Sequence, residues 1–94
     1  MLAMIVANRY LSRMAIRYTA TAAKALSKIP TADARRIRSK IEQYEAAPQS
    51  QANNVVKLQG RDGYRLRVGG YRVIFDSDGT VLTVLDVGPR GSIY

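Results

Sequence analysis

The sequence predicts an α+β fold in which two N-terminal helices pack on one face of an antiparallel sheet, in the order β-α-α-β-β-β. Hydrophobic residues make up 47% of the 94 residues, which suffices for one small core and one domain. In the first half of the chain, apolar residues recur every three or four positions, as in amphipathic helices. In the second half they alternate with polar residues between glycine-containing turns, as in antiparallel hairpins.

The first thirteen residues differ from the rest of the chain. Their apolar run, residues 1–7, is too short to span a bilayer, and it precedes the arginines instead of following them as in a signal peptide. Met14 opens a segment that has the pattern of a complete domain. We therefore expect residues 1–13 to be a weakly ordered extension or the product of an upstream start codon, and residues 14–94 to form the domain. Secretion is not expected.

A short strand and a short helix are predicted at the start of this domain. Residues 15–19 (AIRYT) alternate in polarity, as in a half-buried strand. Across residues 22–29 the apolar positions have helical spacing, with Thr21 as the expected N-cap and Pro30 as the terminator. The sequence therefore changes from a strand to a helix within a few residues.

A second, longer helix is predicted from an N-cap at Thr31 to about residue 46. Asp33 lies in the first turn, where a carboxylate interacts favourably with the helix dipole. Pro48 and the polar run QSQANN after this helix indicate a loop. The helix carries one apolar stripe that can pack on a sheet, formed by Ala34, Ile37, Ile41 and Tyr44.

The second half of the domain is predicted to be a meander of three strands. Gly69-Gly70 and Asp78-Gly79 are typical of hairpin turns and divide the segment GYRLRVGGYRVIFDSDGTVLTVLDVG into strands. The last strand, residues 80–87, is apolar at both parities, which suits an inner strand covered on two sides better than an edge strand. No C-terminal helix is expected after it.

The turn at Gly69-Gly70 also predicts which residues share a face of the sheet. It pairs Arg67 with Arg72 across the hairpin, so these two arginines and Arg65 lie on one face. Like charges directly opposite each other are unfavourable by about 0.2–1 kcal/mol, which an anionic ligand would offset. The other face is apolar and available for the helices, and consists of Tyr64, Leu66, Val68, Tyr71, Val73 and Phe75.

The arginine face fits the phosphates of nucleic acid. Guanidinium groups present planar donor forks that match phosphate oxygens, and Lys57 and Arg61 extend the basic region upstream. The alternative is a solvated strand face, or ion pairs with Asp62, Asp76 and Asp86. Lys and Arg number 15 against 7 Asp and Glu, and the net charge of +8 favours nucleic acid, the ribosome or an acidic protein as the partner over a membrane.

The absence of two residue types limits the reactions and metal sites that the chain can support. The chain contains no cysteine, which excludes disulfides, a thiolate nucleophile and a zinc–sulfur site, and which favours a cytoplasmic protein. It contains no histidine, so the usual side chain for proton transfer near neutral pH is missing. Neither a metal nor a cofactor is expected.

The segment KLQGRDGYRLRVGGYRVIFDSDGTVLTVLDVGPRGSIY resembles the RelE/ParE superfamily, the toxins of type II toxin–antitoxin systems. The resemblance covers about residues 15–94 and implies a RelE-like fold with the element order given above. It also implies a cognate antitoxin as partner, and operator DNA as a ligand of the toxin–antitoxin complex. The residues that carry the resemblance are Leu58, Gly60, Tyr64 to Val68, Gly70-Tyr71-Arg72, Gly88-Pro89-Arg90 and Tyr94.

The resemblance implies a ribosome-dependent endoribonuclease that cuts mRNA and so inhibits translation. In such toxins a ribose 2′-hydroxyl attacks the adjacent phosphate, the downstream fragment leaves with a 5′-hydroxyl, and no metal is required. Lys57 and Arg61 would bind RNA. By position, the catalytic residues would be Arg65, Arg67, Arg72, Arg90 and Tyr94.

One departure from the nuclease pattern keeps other functions open. RelE-like nucleases often have lysine on the basic strand, where this chain has Arg65 and Arg67, and a neutral lysine can accept a proton whereas arginine cannot. Lys57 or Asp62 would then have to accept the proton. The first alternative is a ParE-like toxin, which shares the fold but is not a nuclease and inhibits DNA gyrase. The second is a regulatory protein that only binds the antitoxin and operator DNA.

Overall fold

The computed structural model describes residues 14–90. Two helices and a five-stranded, mostly antiparallel sheet confirm the predicted α+β fold. The predicted extension, residues 1–13, lies outside the described residues, as do residues 91–94, which include Tyr94 and the segment where no helix is expected. The elements are β1 (Ala15–Tyr18), α1 (Ala20–Ser27), α2 (Thr31–Ala46), a 3₁₀ segment (Pro48–Asn54), β2 (Val55–Lys57), β3 (Tyr64–Val68), β4 (Tyr71–Ser77) and β5 (Val81–Pro89).

The sheet has the strand order β1-β5-β4-β3-β2. β1 runs parallel to β5, while the other neighbouring strands are antiparallel, so the prediction of an antiparallel sheet is wrong for this one pair. The direction of β1 is not tied to β5 by a short turn, because both helices and the other strands lie between them in the chain. β5 is an inner strand, as predicted, and extends to Pro89, two residues further than expected.

A bulge explains why β5 is apolar at both parities. Ile74 pairs with Asp86, whereas the next residue of β4 pairs with Val84, so Leu85 is an extra residue on β5. The core side of β5 therefore changes parity, with Val84 buried before the bulge and Val87 buried after it. The sequence predicted instead that β5 is apolar at both parities because both of its faces are covered. This cover is only partial, because Leu85 is half-buried.

The core lies between the helices and one face of the sheet. Its buried aromatic side chain, Phe75, packs between Tyr44 of α2 and Tyr64 of β3, with ring centroids 5.0 and 5.5 Å away. Burying one such large apolar side chain stabilises a fold by about 1.5–3 kcal/mol. The predicted helix stripe and apolar sheet face supply much of the core, which includes Leu26, Ile37, Ile41, Leu66, Val68, Val73, Leu82, Val84 and Val87.

The first helix begins earlier than predicted. α1 starts at Ala20, and its N-cap is Thr19, whose Oγ1 accepts a hydrogen bond from the Ala22 N–H at 3.0 Å. The predicted cap, Thr21, lies inside the helix. Thr19 is the better cap because its hydroxyl also donates to the Leu85 carbonyl oxygen at 2.9 Å, which joins the start of the helix to β5.

The second helix ends where predicted but begins one residue earlier, without the predicted cap. Thr31 is its first helical residue, and Pro30, which has no side-chain hydrogen bond to offer, occupies the cap position. The backbone of Pro30 is extended, with φ −50° and ψ 140°: the proline ring fixes φ, and a non-helical ψ is usual for an N-cap residue. Asp33 lies in the first turn, as predicted, and the helix ends at Ala46.

The predicted loop after α2 is ordered and leads into an unpredicted strand. Gln51, which is 5% exposed, anchors the 3₁₀ segment, because its Nε2 donates to Gln43 Oε1 of α2 at 3.1 Å. β2 then pairs with β3, with Val56 opposite Arg65. The predicted order β-α-α-β-β-β lacks this strand because three residues are too few to show a period of two.

The start of α2 is fastened to the β3–β4 hairpin. The Tyr71 hydroxyl donates to Asp33 Oδ2 at 2.9 Å, and Arg36 Nη2 lies 3.6 Å from Asp33 Oδ1. Arg36 also lies against the turn, since a Cβ on Gly69 would come within 2.9 Å of its Nη2. Gly69 has φ +57°, so a residue without Cβ suits this position on both counts. The hydrogen bond to Asp33 raises the pKa of Tyr71 above its ordinary value.

We predict that the Tyr71–Asp33 contact loses its stabilising effect at high pH. Because the pKa of Tyr71 in the folded chain lies above the ordinary value of 10.0, the unfolded chain loses the phenol proton first. The stabilisation is therefore complete below the ordinary pKa and falls as the pH rises through the folded pKa. In urea unfolding, Tyr71→Phe should be less stable than the unsubstituted chain, and the difference should shrink above about pH 10. A difference that stays constant to higher pH would contradict this prediction.

Candidate nucleic-acid interface

The sheet face away from the helices carries the predicted arginines. The register of the β3–β4 hairpin is the predicted one, with Arg67 opposite Arg72 and Arg65 opposite Ile74. On the other side of β4, Arg72 pairs with Gly88 of β5. Gly88 has no side chain to place beside Arg72 on this face.

Arg72 lies at the centre of a cluster of like charges. It is half-buried, and this burial, followed by the charges of Arg65, Arg90 and Arg67, holds its pKa below the usual value. The backbone of Arg90 is held near the hairpin because its N–H donates to the Gly70 carbonyl oxygen at 2.8 Å. We refer to Arg65, Arg67, Arg72 and Arg90 as the arginine cluster.

A groove of about 410 Å³ opens beside the arginine cluster. Its lining includes Arg65 and Arg72 on the sheet, and also both basic residues predicted upstream, Lys57 and Arg61. Val56 supplies an apolar part of the lining and is 49% exposed. Guanidinium and ammonium donors around one open groove are suited to several oxygens of the same phosphate.

The loop between β2 and β3 holds Arg61 beside this groove. The Leu58 N–H donates to the Gly63 carbonyl oxygen at 3.0 Å, which closes the loop. Gly63 has φ +113°, and a Cβ there would come within 3.0 Å of the Phe75 carbonyl oxygen. A larger residue would therefore push the loop, and Arg61 with it, away from β4.

A second cavity of about 160 Å³ adjoins the groove and shares three lining residues with it. Its two asparagines and its valine were not predicted from the sequence as site residues. They lie at the end of a polar run and in a strand of three residues, where the sequence pattern gives no sign of their position. The lining residues are Asn53, Asn54, Val56, Arg65, Arg67 and Arg72.

The aspartates predicted as alternative partners of the arginines have local hydrogen bonds. Asp76 Oδ1 accepts from the Ser77 N–H, and Asp86 Oδ1 accepts from the Val87 N–H, each at 2.8 Å. Asp62 is exposed in the loop before β3. The carboxylates of Asp76 and Asp86 therefore have structural roles that do not depend on an arginine.

The chemistry available in the groove is that of guanidinium, ammonium and carboxamide groups. Within residues 14–90, His, Cys, Asp and Glu side chains do not form a group of three or more that could hold a metal ion. Over the same part of the chain, neither helix is long and apolar enough to cross a membrane.

Comparison with known proteins identifies the family. A family model described as the ParE toxin of type II toxin-antitoxin system, parDE, matches residues 16–94. The chain belongs to this toxin family. It is also similar to solved structures of RelE toxins, among them an archaeal RelE–RelB complex from Pyrococcus horikoshii OT3. That chain is 31% identical with a TM-score of 0.69, and the match covers 85% of this chain and 98% of the other.

Two further RelE structures show the same similarity. The toxin in the RelB–RelE complex from Methanococcus jannaschii is 29% identical with a TM-score of 0.63, over 83% of this chain and 94% of the other. The match to the E. coli RelBE complex is 27% identical with a TM-score of 0.63, over 81% of this chain and 95% of the other. The RelE/ParE resemblance and the RelE-like fold are thereby confirmed. No curated protein matches the chain significantly.

We predict that the arginine cluster lowers the stability of the fold. Arg67→Gln removes one of two directly opposed charges and keeps a polar side chain, so it should raise the free energy of unfolding by up to about 1 kcal/mol at low ionic strength. Urea unfolding measures this gain, which should fall in about 1 M salt because salt screens the repulsion. Arg35→Gln, at an exposed position of α2, is the control and should change little. A loss of stability confined to Arg67→Gln would refute the prediction.

Proposed function

We propose that this toxin cuts mRNA on the ribosome, in the cytoplasm, and is neutralised by a cognate antitoxin. The observation that carries the proposal is the arginine cluster on the sheet face, two members of which, Arg65 and Arg72, line an open groove together with Lys57 and Arg61. The similarity to RelE toxins supports it, since the resemblance in the sequence implies this reaction for RelE-like members of the superfamily.

The groove is suited to transesterification at an RNA phosphate. The 2′-hydroxyl oxygen forms a bond to the adjacent phosphorus, the bond from phosphorus to the 5′-oxygen breaks, and the products are a 2′,3′-cyclic phosphate and a 5′-hydroxyl. Arg65, Arg67 and Arg72 donate hydrogen bonds to the phosphate oxygens, where negative charge grows in the transition state. Arg90 stabilises the leaving 5′-oxygen until water supplies its proton, because arginine does not readily lose its own.

Lys57 is the proposed proton acceptor for the 2′-hydroxyl. It lines the groove together with Arg65 and Arg72, whereas Asp62, the other candidate from the sequence, is not part of the lining. A lysine amine in its neutral form can take up a proton, and a guanidinium group cannot. Tyr94 keeps the role proposed from the resemblance, which is to stack on a base or to transfer a proton.

We predict that Lys57→Arg is nearly as inactive as Lys57→Ala, although it keeps the positive charge. Loss of a general base lowers cleavage by about 10²–10⁴-fold, which single-turnover cleavage of mRNA on purified ribosomes can measure. Arg61→Ala is the matched control at the same groove and should weaken binding with little change in rate at saturation. Cleavage by Lys57→Arg at the unsubstituted rate would mean that Lys57 contributes only its charge.

Expression of the toxin in bacteria without an antitoxin, followed by mapping of RNA 5′ ends and of plasmid topology, tests the nuclease function directly. We expect new 5′ ends within translated codons and unchanged plasmid topology. Arg72→Ala and Arg90→Ala lie outside the core cluster, so both should fold and cut about 10²–10³-fold more slowly, which is the usual effect of removing one transition-state donor. Growth arrest that persists in both variants would show that the site assignment is wrong.

Inhibition of DNA gyrase is the second candidate function. It is favoured by the family model that matches the chain, which is that of the ParE toxin. The resemblance implies that ParE-like toxins share the fold without acting as nucleases. Intact mRNA together with relaxed or broken plasmid DNA in the same cultures would show that the toxin inhibits gyrase and is not a nuclease.

The antitoxin is proposed to bind across the arginine cluster. The solved relatives include RelE–RelB complexes from Pyrococcus horikoshii and E. coli, which supports a partner of this kind for this chain. An extended or helical segment with acidic residues would neutralise the cluster and block access to the ribosome. Substrate and inhibitor would then use the same surface.

A further inference from the structure

The second cavity lies where the base of a bound nucleotide would fit. It shares Val56, Arg65 and Arg72 with the groove in which the phosphate is proposed to bind. A nucleobase is joined to its phosphate through one ribose, so two adjoining cavities with a common wall can hold two parts of the same nucleotide. Asn53 and Asn54 line the second cavity and not the first.

Two fixed elements hold the asparagines in place. On the upstream side, Gln51 is buried and donates to Gln43 of α2. Asn54 Nδ2 in turn donates to Gln51 Oε1 at 3.5 Å, a long hydrogen bond that links Asn54 to this buried glutamine. On the downstream side, β2 is paired with β3. The backbone of the asparagines is therefore positioned before a ligand binds, which lowers the entropy cost of binding.

The side chains around the second cavity match the surfaces of a nucleobase. A carboxamide carries donor and acceptor atoms, and the edge of a base presents the complementary combination. Val56 offers apolar contact to the face of the ring, on which the plane of a guanidinium group can also stack. Phosphate recognition alone requires neither the amides nor the exposed valine.

We propose that Asn53, Asn54 and Val56 form a nucleobase subsite that determines which codons the toxin cuts. The two amides hydrogen-bond to the edge of the base, Val56 contacts its face, and the arginine cluster holds the neighbouring phosphate. The inference rests on the proposed nuclease function and deepens it. It assigns sequence preference to side chains outside the arginine cluster.

Cleavage of defined codons on purified ribosomes tests this subsite. The full chain is assayed on mRNAs in which each position of one codon is changed to each of the four bases, and kcat/KM is measured for every codon. Asn53→Ala or Asn54→Ala should reduce the preference at one codon position by about tenfold, since a bidentate contact to a base supplies discrimination of that size or more. Gln49→Ala, an exposed amide on the same 3₁₀ segment, is the matched control and should keep the codon profile.

The possible results separate failure of the subsite from failure of the nuclease function. A double variant, Asn53→Ala with Asn54→Ala, that cuts with an unchanged codon profile would overturn the subsite alone. An unsubstituted chain that cuts no codon would overturn the nuclease function and the subsite with it. Asn53 is exposed, so Asn53→Ala should fold, which circular dichroism verifies. Asn53→Asp keeps the shape but loses both amide donors, and it should lose the preference as well.

Discussion

The pairing register of the β3–β4 hairpin is the constraint on which the rest of the structure depends. A shift by one residue would turn the arginines into the core and the apolar residues towards solvent. The turn that sets this register is held from two sides: Arg36 of α2 lies against Gly69, and the Arg90 N–H donates to the Gly70 carbonyl oxygen. This one turn therefore positions three parts of the structure. The long helix and Arg90 contact it directly, and the register that it sets places the core residues and the other arginines on opposite faces of the sheet.

Magnitudes explain how the fold tolerates several arginines on one face. Each like-charge pair across neighbouring strands costs about 0.2–1 kcal/mol, whereas each large apolar side chain buried on the opposite face contributes about 1.5–3 kcal/mol. Burial of Leu66, Val73 and Phe75 on those two strands outweighs the repulsion several times over. An anion bound at the arginine cluster would lower the repulsion that remains.

What the sequence can predict is set by the length over which a pattern repeats. α2 and the β3–β4 hairpin show enough periods for the helix bounds and the register to follow from the sequence. By contrast, the choice of Thr19 over Thr21 as the cap depends on the tertiary structure, because the Thr19 hydroxyl also donates to the Leu85 carbonyl oxygen of β5. The site divides in the same way. The arginines of β3 and β4 follow from the register, while Asn53, Asn54 and Val56 line the second cavity only because β2 pairs with β3.

The combination of charge and apolar surface in one groove narrows the class of ligand. Free phosphate would bind to the arginines but would make no apolar contact with Val56, which is 49% exposed. A nucleotide offers a phosphate together with the face of a base, and an acidic antitoxin segment offers carboxylates together with aliphatic side chains. Both can occupy the same groove in turn. Under the proposed function, inhibition requires no change in the shape of the toxin, because competition between antitoxin and substrate for one surface suffices.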